Sequence, residues 1–268
     1  MISPLPERFD LTGKVAAITG AGGELCGVMA EALGSLGVKV AVLDIALEKA
    51  RGRAESILRS GGTAMALSCD VLDPAGLREC CRAVTELWGA PELLINGAGG
   101  NDPRGSTSCD FHDPAGGDPT AQTFFDLDPA GFSQVFNLNF LGTFLATQAF
   151  ASGMVAKGKG SIVNISSMSA FTPLTKVAAY SAAKAAVSNF TKWLAVHFSQ
   201  TGIRVNALAP GFFMTEQLRF LHIDATTGEP TSRARQVIAH TPLGRYGIPD
   251  DLIGTLIWLL SDASAFVT

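Results

Sequence analysis

The segment GSIVNISSMSAFTPLTKVAAYSAAK, residues 160–184, carries the pattern that decides the fold. It opens with an apolar, β-branched run that predicts a buried strand, and Ser167 follows shortly after the carboxyl end of that strand. A helical stretch comes next, in which Tyr180 and Lys184 are four residues apart and therefore share one face. Open α/β sheets bind ligands at the carboxyl ends of their strands, so we expect these three side chains to meet there.

These side chains suit proton transfer to or from an oxygen atom. A phenol has a pKa of about 10, and a neighbouring ammonium group draws it down, so Lys184 is expected to lower the pKa of Tyr180. Tyr180 would then exchange a proton with an alkoxide or alcohol, while Ser167 hydrogen-bonds the same oxygen. Taken alone, the Tyr-x-x-x-Lys spacing is equally typical of an amphipathic helix with a surface lysine.

Apolar strands and helices alternate along the rest of the chain, which predicts an α/β fold: a single-domain, doubly wound parallel sheet of the Rossmann type with helices on both faces. The predicted strands are 14–19, 39–43, 63–68, 92–96, 161–165 and 204–208. The predicted helices are 25–36, 47–60, 74–88, 129–157 and 178–199. Because no repeat or linker divides the chain, residues 1–268 are expected to form one domain.

Two long stretches, 99–126 and 211–250, interrupt this alternation. Both follow predicted strand ends, so both are expected to overhang the edge that carries Ser167. Long loops in compact domains are more often functional than idle, and we interpret these two as substrate loops. A tolerated surface insertion remains an alternative for 99–126.

Composition limits the partners. The 268 residues carry a net charge of −4 with a pI near 5.6, so the basic surface that nucleic acids and anionic membranes require is missing. The start, MISPLPERFD, lacks the apolar segment of a signal peptide, and the longest apolar run, 252–260, is too short to span a bilayer. The cysteines and histidines show no ligand spacing, which indicates reduced thiols, no metal site and a cytoplasmic protein.

A glycine-rich turn follows the first predicted strand. In such a turn the backbone N–H groups approach a pyrophosphate at a helix amino terminus, so the candidate cofactor-binding residues here are Gly20, Gly22, Gly23 and Leu25. Asp44 lies at the end of the second strand, where a carboxylate accepts hydrogen bonds from both adenosine ribose hydroxyls and repels a 2′-phosphate. NAD is therefore predicted over NADP. The alternative is that Asp44 only caps the next helix.

Together these motifs resemble the short-chain dehydrogenase/reductase family. The resemblance rests on Thr19-Gly20, on the Asn-Ile-Ser-Ser strand end and on the spacing of Ser167, Tyr180 and Lys184, and it extends over residues 11–268. It implies an NAD-dependent oxidoreductase acting on a carbonyl or secondary alcohol, in a homotetramer. The catalytic set that it implies is Asn139, Ser167, Tyr180 and Lys184.

The same resemblance implies further cofactor contacts by Tyr180 and Lys184, and by Asp70, Val71, Asn96, Ala98, Gly99, Pro210, Gly211 and Thr215. Three positions depart from the family pattern. Glu24 and Cys26 replace glycines of the turn, and Gly97 replaces the second asparagine of Asn-Asn-Ala-Gly. We expect Glu24 to direct its carboxylate away from the pyrophosphate. A dinucleotide-binding protein without turnover is the alternative that these departures favour.

The charged side chains of the predicted substrate loops indicate the substrate class. The loops carry cations suited to a carboxylate, so a small, polar, anionic keto substrate is expected. The stretches TGAGGELC and APGFFMTEQLR resemble the D-mannonate oxidoreductase (fructuronate reductase) branch of the family. That resemblance implies that a uronate carboxylate is bound by Arg104, Lys176 or Arg219. A gluconate-type sugar, a 3-oxoacyl thioester and an epimerase-type reaction are the alternatives.

Overall fold

Six parallel strands form one sheet in the order β3-β2-β1-β4-β5-β6 in the computed structural model, which describes residues 4–172 and 174–268. Part of the MISPLPERFD segment thus lies outside the described residues. The strands are β1 (Val15–Thr19), β2 (Lys39–Asp44), β3 (Thr63–Ser68), β4 (Leu93–Asn96), β5 (Gly160–Ile165) and β6 (Ile203–Leu208). The strand order reverses between β1 and β4, which creates the crevice where such sheets bind ligands. The predicted doubly wound parallel sheet is confirmed.

The helices are α1 (Leu5–Arg8), α2 (Glu24–Ser35), α3 (Leu47–Arg59), α4 (Pro74–Trp88), α5 (Pro129–Phe136), α6 (Gly142–Lys157), α7 (Ala178–His197), α8 (Glu216–His222), α9 (Ser232–Ala239) and α10 (Ile253–Leu260). The five predicted helices are present near their predicted positions, with 129–157 divided into α5 and α6, and α1, α8, α9 and α10 are additional. Local sequence explains several of their starts. Both α4 and α5 begin at an Asp-Pro pair, in which Asp73 or Asp128 accepts a hydrogen bond from the main-chain N–H two residues on.

Two differences from the predicted elements concern the functional edge. The predicted helix 129–157 is interrupted by a π-helical turn, Asn137–Leu141. The stretch 211–250 contains the short helices α8 and α9, which a search for long periodic runs does not detect.

The hydrophobic core lies on both faces of the sheet, because alternate side chains along each strand point to opposite faces. Ile18 and Ile95 pack with α2, α3 and α10 on one face, and Ala17 and Leu94 pack with α4, α6 and α7 on the other. The sheet is therefore packed against helices on both faces. Within residues 4–172 and 174–268, no helix has the length and apolarity needed to cross a membrane.

Candidate active site

Ser167, Tyr180 and Lys184 come together at the carboxyl end of β5. Ser167 follows the strand and accepts a hydrogen bond from the Ser169 N–H at 3.2 Å, which starts a short 3-10 turn. Tyr180 lies in the first turn of α7, and the Lys184 Nζ is 5.5 Å from the centroid of its ring. Ser167 and Lys184 are only 8% and 4% exposed. The strand end and the helix spacing thus bring the three side chains together as the sequence predicts.

Lys184 is hydrogen-bonded to the last residue of β5, the strand that precedes Ser167. Its Nζ donates a hydrogen bond to the Ile165 carbonyl oxygen at 2.8 Å, and burial lowers its pKa to about 8. A Cβ atom at Gly99 would lie 3.4 Å from this Nζ and 2.5 Å from Asn139 Oδ1, so glycine is required there. Gly99 thus borders both polar groups.

The pKa of Tyr180 differs from the sequence prediction. Burial raises the pKa of this phenol, and a hydrogen bond with Ser167 only partly opposes the effect. Lys184 lies over the ring and donates to Ile165, so the expected lowering by its ammonium group is not seen. The prediction was wrong because spacing along a helix shows proximity but not the cost of burying a phenolate.

Asn139 connects the π-helical turn 137–141 to the main chain that follows β4. The side chain is fully buried, and its Nδ2 donates to the carbonyl oxygens of Val135 at 2.8 Å and Gly100 at 2.7 Å. Its Oδ1 accepts from the Gly100 N–H at 3.3 Å. The contact with Val135, four residues earlier, coincides with the π-helical turn, a distortion that is frequent at functional sites. Asn139 is therefore brought to the site by local helix distortion.

The glycine-rich turn packs closely against the end of β4. Gly20 has φ = 69°, and a Cβ atom there would lie 2.8 Å from Ala98 Cα. Thr19 Oγ1 accepts from the N–H groups of Gly97 at 3.1 Å and Ala98 at 3.2 Å. The turn and the end of β4 are therefore packed and hydrogen-bonded together.

Asp44 contacts both the turn and the start of the next helix. Its Oδ2 accepts from the Gly22 N–H at 3.0 Å, and its Oδ1 accepts from the Ala46 N–H at 2.9 Å. A Cβ atom at Gly22 would lie 2.9 Å from the carboxyl carbon, so the close approach requires glycine. The bond to the Ala46 N–H agrees with the alternative role before α3, and the bond to Gly22 places the same carboxylate at the turn.

The other predicted cofactor residues lie in different structural settings. Asn96 is buried, and its Nδ2 donates to Thr147 Oγ1 at 2.9 Å and Asn164 Oδ1 at 2.8 Å, so the amide nitrogen is used within the fold. The remaining residues follow strand ends or precede α8: Asp70, Val71, Pro210, Gly211 and Thr215. The Pro210 carbonyl oxygen accepts from the Met168 N–H at 3.0 Å, which joins the β6 end to the Ser167 segment.

The three departures from the family pattern are accommodated. A Cβ atom at Gly97 would lie 2.1 Å from Cys26 Sγ, so the thiol occupies the space that a side chain at position 97 would need. The glycine at 97 and the cysteine at 26 therefore fit each other. Glu24 directs its carboxylate to the main-chain N–H of Glu216.

The Cys26–Gly97 contact gives a testable prediction. Gly97→Ala is expected to lower the free energy of unfolding by about 1–3 kcal/mol, because the added methyl group overlaps the thiol. The double variant Cys26→Ala/Gly97→Ala should recover part of that loss, since the Sγ is removed while the added methyl group still lies 3.0 Å from the Thr19 carbonyl oxygen. Urea unfolding measures both.

Gly52→Ala is the matched control, because a Cβ atom at Gly52 in α3 meets nothing within 4 Å. It should leave stability unchanged or raise it slightly. Strictly additive losses at positions 26 and 97 would show that the two residues do not share one space.

The candidate substrate cations differ in their partners. Arg104 lies 2.7 Å from Asp102 and 3.6 Å from Asp128, so two carboxylates already neutralise it. Lys176 Nζ lies 3.9 Å from Asp110, and Arg219 is exposed on α8. Arg104 is thus occupied by ion pairs with Asp102 and Asp128, whereas the ion pair of Lys176 with Asp110 is longer.

Lys176 also joins the two segments that border the site. Its carbonyl oxygen accepts from the Thr107 N–H at 2.9 Å, and Thr175 Oγ1 donates to Asp110 Oδ1 at 2.6 Å. Loop 99–126 is thereby bound to the segment between Ser167 and Tyr180, as its predicted position at that edge requires. Lys176 has φ = 72°, a left-handed conformation that is uncommon for a residue other than glycine.

Tyr246 is a residue that the sequence reasoning missed. Its hydroxyl hydrogen-bonds Nδ1 of His222, which is fully buried at the end of α8. Phe213 and Gly247 form a parallel bridge beside this pair. The signal that could have indicated Tyr246 is weak: it is one of only two tyrosines in the chain.

Comparison with known proteins places this geometry in a family. The family model described as short chain dehydrogenase matches residues 14–224. The uncharacterized oxidoreductase UxuB of Bacillus subtilis is 48% identical over 265 residues, which are 98% of this chain and 94% of that protein.

Two solved structures are similar to this chain over nearly its whole length. One is a proposed D-mannonate oxidoreductase from Haemophilus influenza with bound NAD, at 47% identity and a TM-score of 0.90, covering 95% of this chain and 90% of that one. The other is a proposed 2-deoxy-D-gluconate 3-dehydrogenase from Agrobacterium tumefaciens with bound NADP, at 30% identity and a TM-score of 0.79, covering 97% and 94%. On the family match and the identity over nearly its whole length, this chain belongs to the short-chain dehydrogenase family.

Proposed function

We propose that this protein is an NAD-dependent oxidoreductase that interconverts a ketone and a secondary alcohol in a small sugar acid of the D-fructuronate/D-mannonate type. The observation that carries the proposal is the convergence of Ser167, Tyr180 and Lys184 at the carboxyl end of β5. Relatives named as oxidoreductases support the reaction class. The neighbour crystallised with NAD and described as a proposed D-mannonate oxidoreductase supports the substrate class.

The residues present fit a dinucleotide. Gly20 and Gly22 leave no room for side chains, and the turn that they form leads into the amino end of α2, where backbone N–H groups suit a pyrophosphate. Asp44 places a carboxylate beside this turn, and the following Ile45 offers no positive charge for a 2′-phosphate. These features favour NAD over NADP. When bound, the nicotinamide supplies or accepts the hydride.

The chain's own residues handle the oxygen atom and its proton. Because burial raises the pKa of Tyr180, the phenol is protonated at neutral pH and suits donation to a developing alkoxide. Ser167 orients the same oxygen, Lys184 provides a buried cation over the face of the Tyr180 ring, and Asn139 fixes the neighbouring main chain. The departures that favoured a non-catalytic protein leave these four residues intact.

Lys176 and Arg219 are the better candidates for the substrate carboxylate, because Arg104 is already paired with two carboxylates. Lys176 lies four residues before Tyr180, and its contact with Asp110 is at the outer limit of an ion pair. A bound carboxylate could replace Asp110 as its partner.

Lys176→Met tests this assignment. The Michaelis constant for fructuronate is expected to rise by roughly tenfold or more, since a charge-assisted hydrogen bond is lost. The constant for an uncharged ketose should change little. Steady-state kinetics with both substrates measures the difference.

Lys192→Met is the control for Lys176→Met. Lys192 is exposed on α7, about 18 Å along the helix from Tyr180, so its removal should affect neither substrate. Equal effects of Lys176→Met on the charged and uncharged substrates would show that Lys176 does not recognise the carboxylate.

We also infer that the chain forms a homotetramer, with the stoichiometry taken from the family resemblance. An apolar groove between α6 and α7 supports self-association: it is lined by Phe144, Phe190 and Trp193, and Trp193 is 55% exposed. Exposed apolar patches of this kind mark interfaces. Light scattering should give the mass of four chains and a smaller mass for Trp193→Asp. A monomeric wild type would contradict the inference.

A further inference from the structure

Glu24 connects the cofactor turn to a helix almost at the other end of the chain. It is the first residue of α2, and its Oε2 accepts a hydrogen bond from the Glu216 N–H at 2.8 Å. Glu216 is the first residue of α8. Thr215 occupies the N-cap position of that helix but makes no side-chain capping bond. The carboxylate that satisfies the first turn of α8 therefore comes from the glycine-rich turn.

The position of this carboxylate is favourable for both helices. The amino ends of α2 and α8 each carry a positive partial charge from their unpaired N–H groups. Gly23, the N-cap residue of α2, has no side chain to offset its share. Glu24 places one negative charge at both ends. A glycine at position 24, which the family pattern has, would offer no such group.

Helix α8 is held at its other end by contacts within its own segment. His222, the last residue of α8, is hydrogen-bonded to the Tyr246 hydroxyl, and the Met214 N–H donates to the Gly247 carbonyl oxygen at 2.9 Å. These contacts make α8 and residues 246–247 one packed unit. The bond to Glu24 links that unit to the cofactor turn.

We propose that Glu24 is a positioning residue that links α8 to the cofactor turn and so couples dinucleotide binding to the ordering of α8. A dinucleotide that orders the turn also orders the start of α8, and loss of the Glu24 bond separates the two events. The kinetic consequence, a higher Michaelis constant for the substrate, rests on the proposed function of 211–250 as a substrate loop. The coupling itself does not.

Hydrogen exchange of the amides in 216–222 tests the proposal with NADH as the probe and no substrate. In the wild type, NADH should slow exchange in this segment. Without NADH, Glu24→Ala should exchange about tenfold faster than the wild type, because a helix cap is lost. NADH should no longer slow exchange of 216–222 in this variant, because the bond that links the turn to α8 is absent. Glu24→Gln keeps an oxygen acceptor of the same reach and should remain close to the wild type.

Two further variants separate this contact from general effects. Glu24→Asp keeps the charge but is one methylene shorter, so it should behave like Glu24→Ala, and it serves if the alanine variant fails to fold. Glu31→Ala removes a carboxylate of the same helix that pairs with Arg53 at 3.2 Å, and it should leave α8 unchanged.

Unchanged exchange of 216–222 in both Glu24→Ala and Glu24→Asp would overturn the proposal. So would faster exchange in Glu31→Ala equal to that in Glu24→Ala. If the protein did not bind NADH, the proposed function would fail, whereas the comparison of the variants without NADH would still test the Glu24 contact.

Discussion

Tyr180→Phe is expected to reduce kcat by about a hundredfold to ten-thousandfold while NADH binding stays nearly unchanged. The phenol oxygen is the group placed to exchange a proton with the substrate oxygen, and general acid catalysis contributes roughly 10²–10⁴ in rate. The phenyl ring keeps the packing against Lys184, whose Nζ lies 5.5 Å from the ring centroid. Steady-state kinetics and NADH fluorescence titration together measure the two effects.

Tyr246→Phe is the matched control, because it removes the hydroxyl of the chain's other tyrosine. That hydroxyl bonds His222 in the 211–250 segment, so its loss should raise the Michaelis constant more than it lowers kcat. If Tyr180→Phe retained a tenth or more of the wild-type kcat, another group would have to be the acid.

Asp44→Ala is expected to lower the ratio of kcat/KM for NAD to that for NADP by about a hundredfold or more. The variant loses the acceptor for the ribose hydroxyls, and charge-assisted hydrogen bonds contribute about 1.5–3 kcal/mol each. It also removes the charge that repels a 2′-phosphate. Kinetics with both cofactors measures the ratio.

Asp44→Asn separates charge from structure. The Asp44 carboxylate also accepts bonds from the Gly22 and Ala46 N–H groups, and the asparagine oxygen can still accept one of them. This variant should therefore hold the turn in place and still lose cofactor discrimination. A wild type that prefers NADP would contradict the role of Asp44.

The parts of the site that the sequence predicted are those that short stretches decide. The apolar run before Ser166 and Ser167 predicted a strand that ends at the ligand-binding edge of the sheet. A spacing of four residues predicted that Tyr180 and Lys184 lie on one helix face. Alternation of strands and helices was enough to predict the parallel sheet and its two helical layers.

The parts that were not predicted depend on contacts between distant residues. Cys26 and Gly97 share one space, and Glu24 caps a helix 192 residues away, which no local periodicity reports. Asn96 follows the family pattern for a cofactor residue, yet its side chain points into the sheet toward Thr147. The raised pKa of Tyr180 depends on burial, which the spacing of residues does not measure.

The measurement that tests the central claim most directly is NADH oxidation by the wild-type protein with fructuronate, tagaturonate, uncharged ketoses and an acetoacetyl thioester. We expect turnover with the uronates and little with the other compounds, because the weakly paired Lys176 is proposed to bind the uronate carboxylate. Turnover with a different ketone alone would retain the enzyme class and reject the sugar acid. NADH binding without turnover of any carbonyl compound would contradict the assignment of Ser167, Tyr180 and Lys184 as a catalytic site.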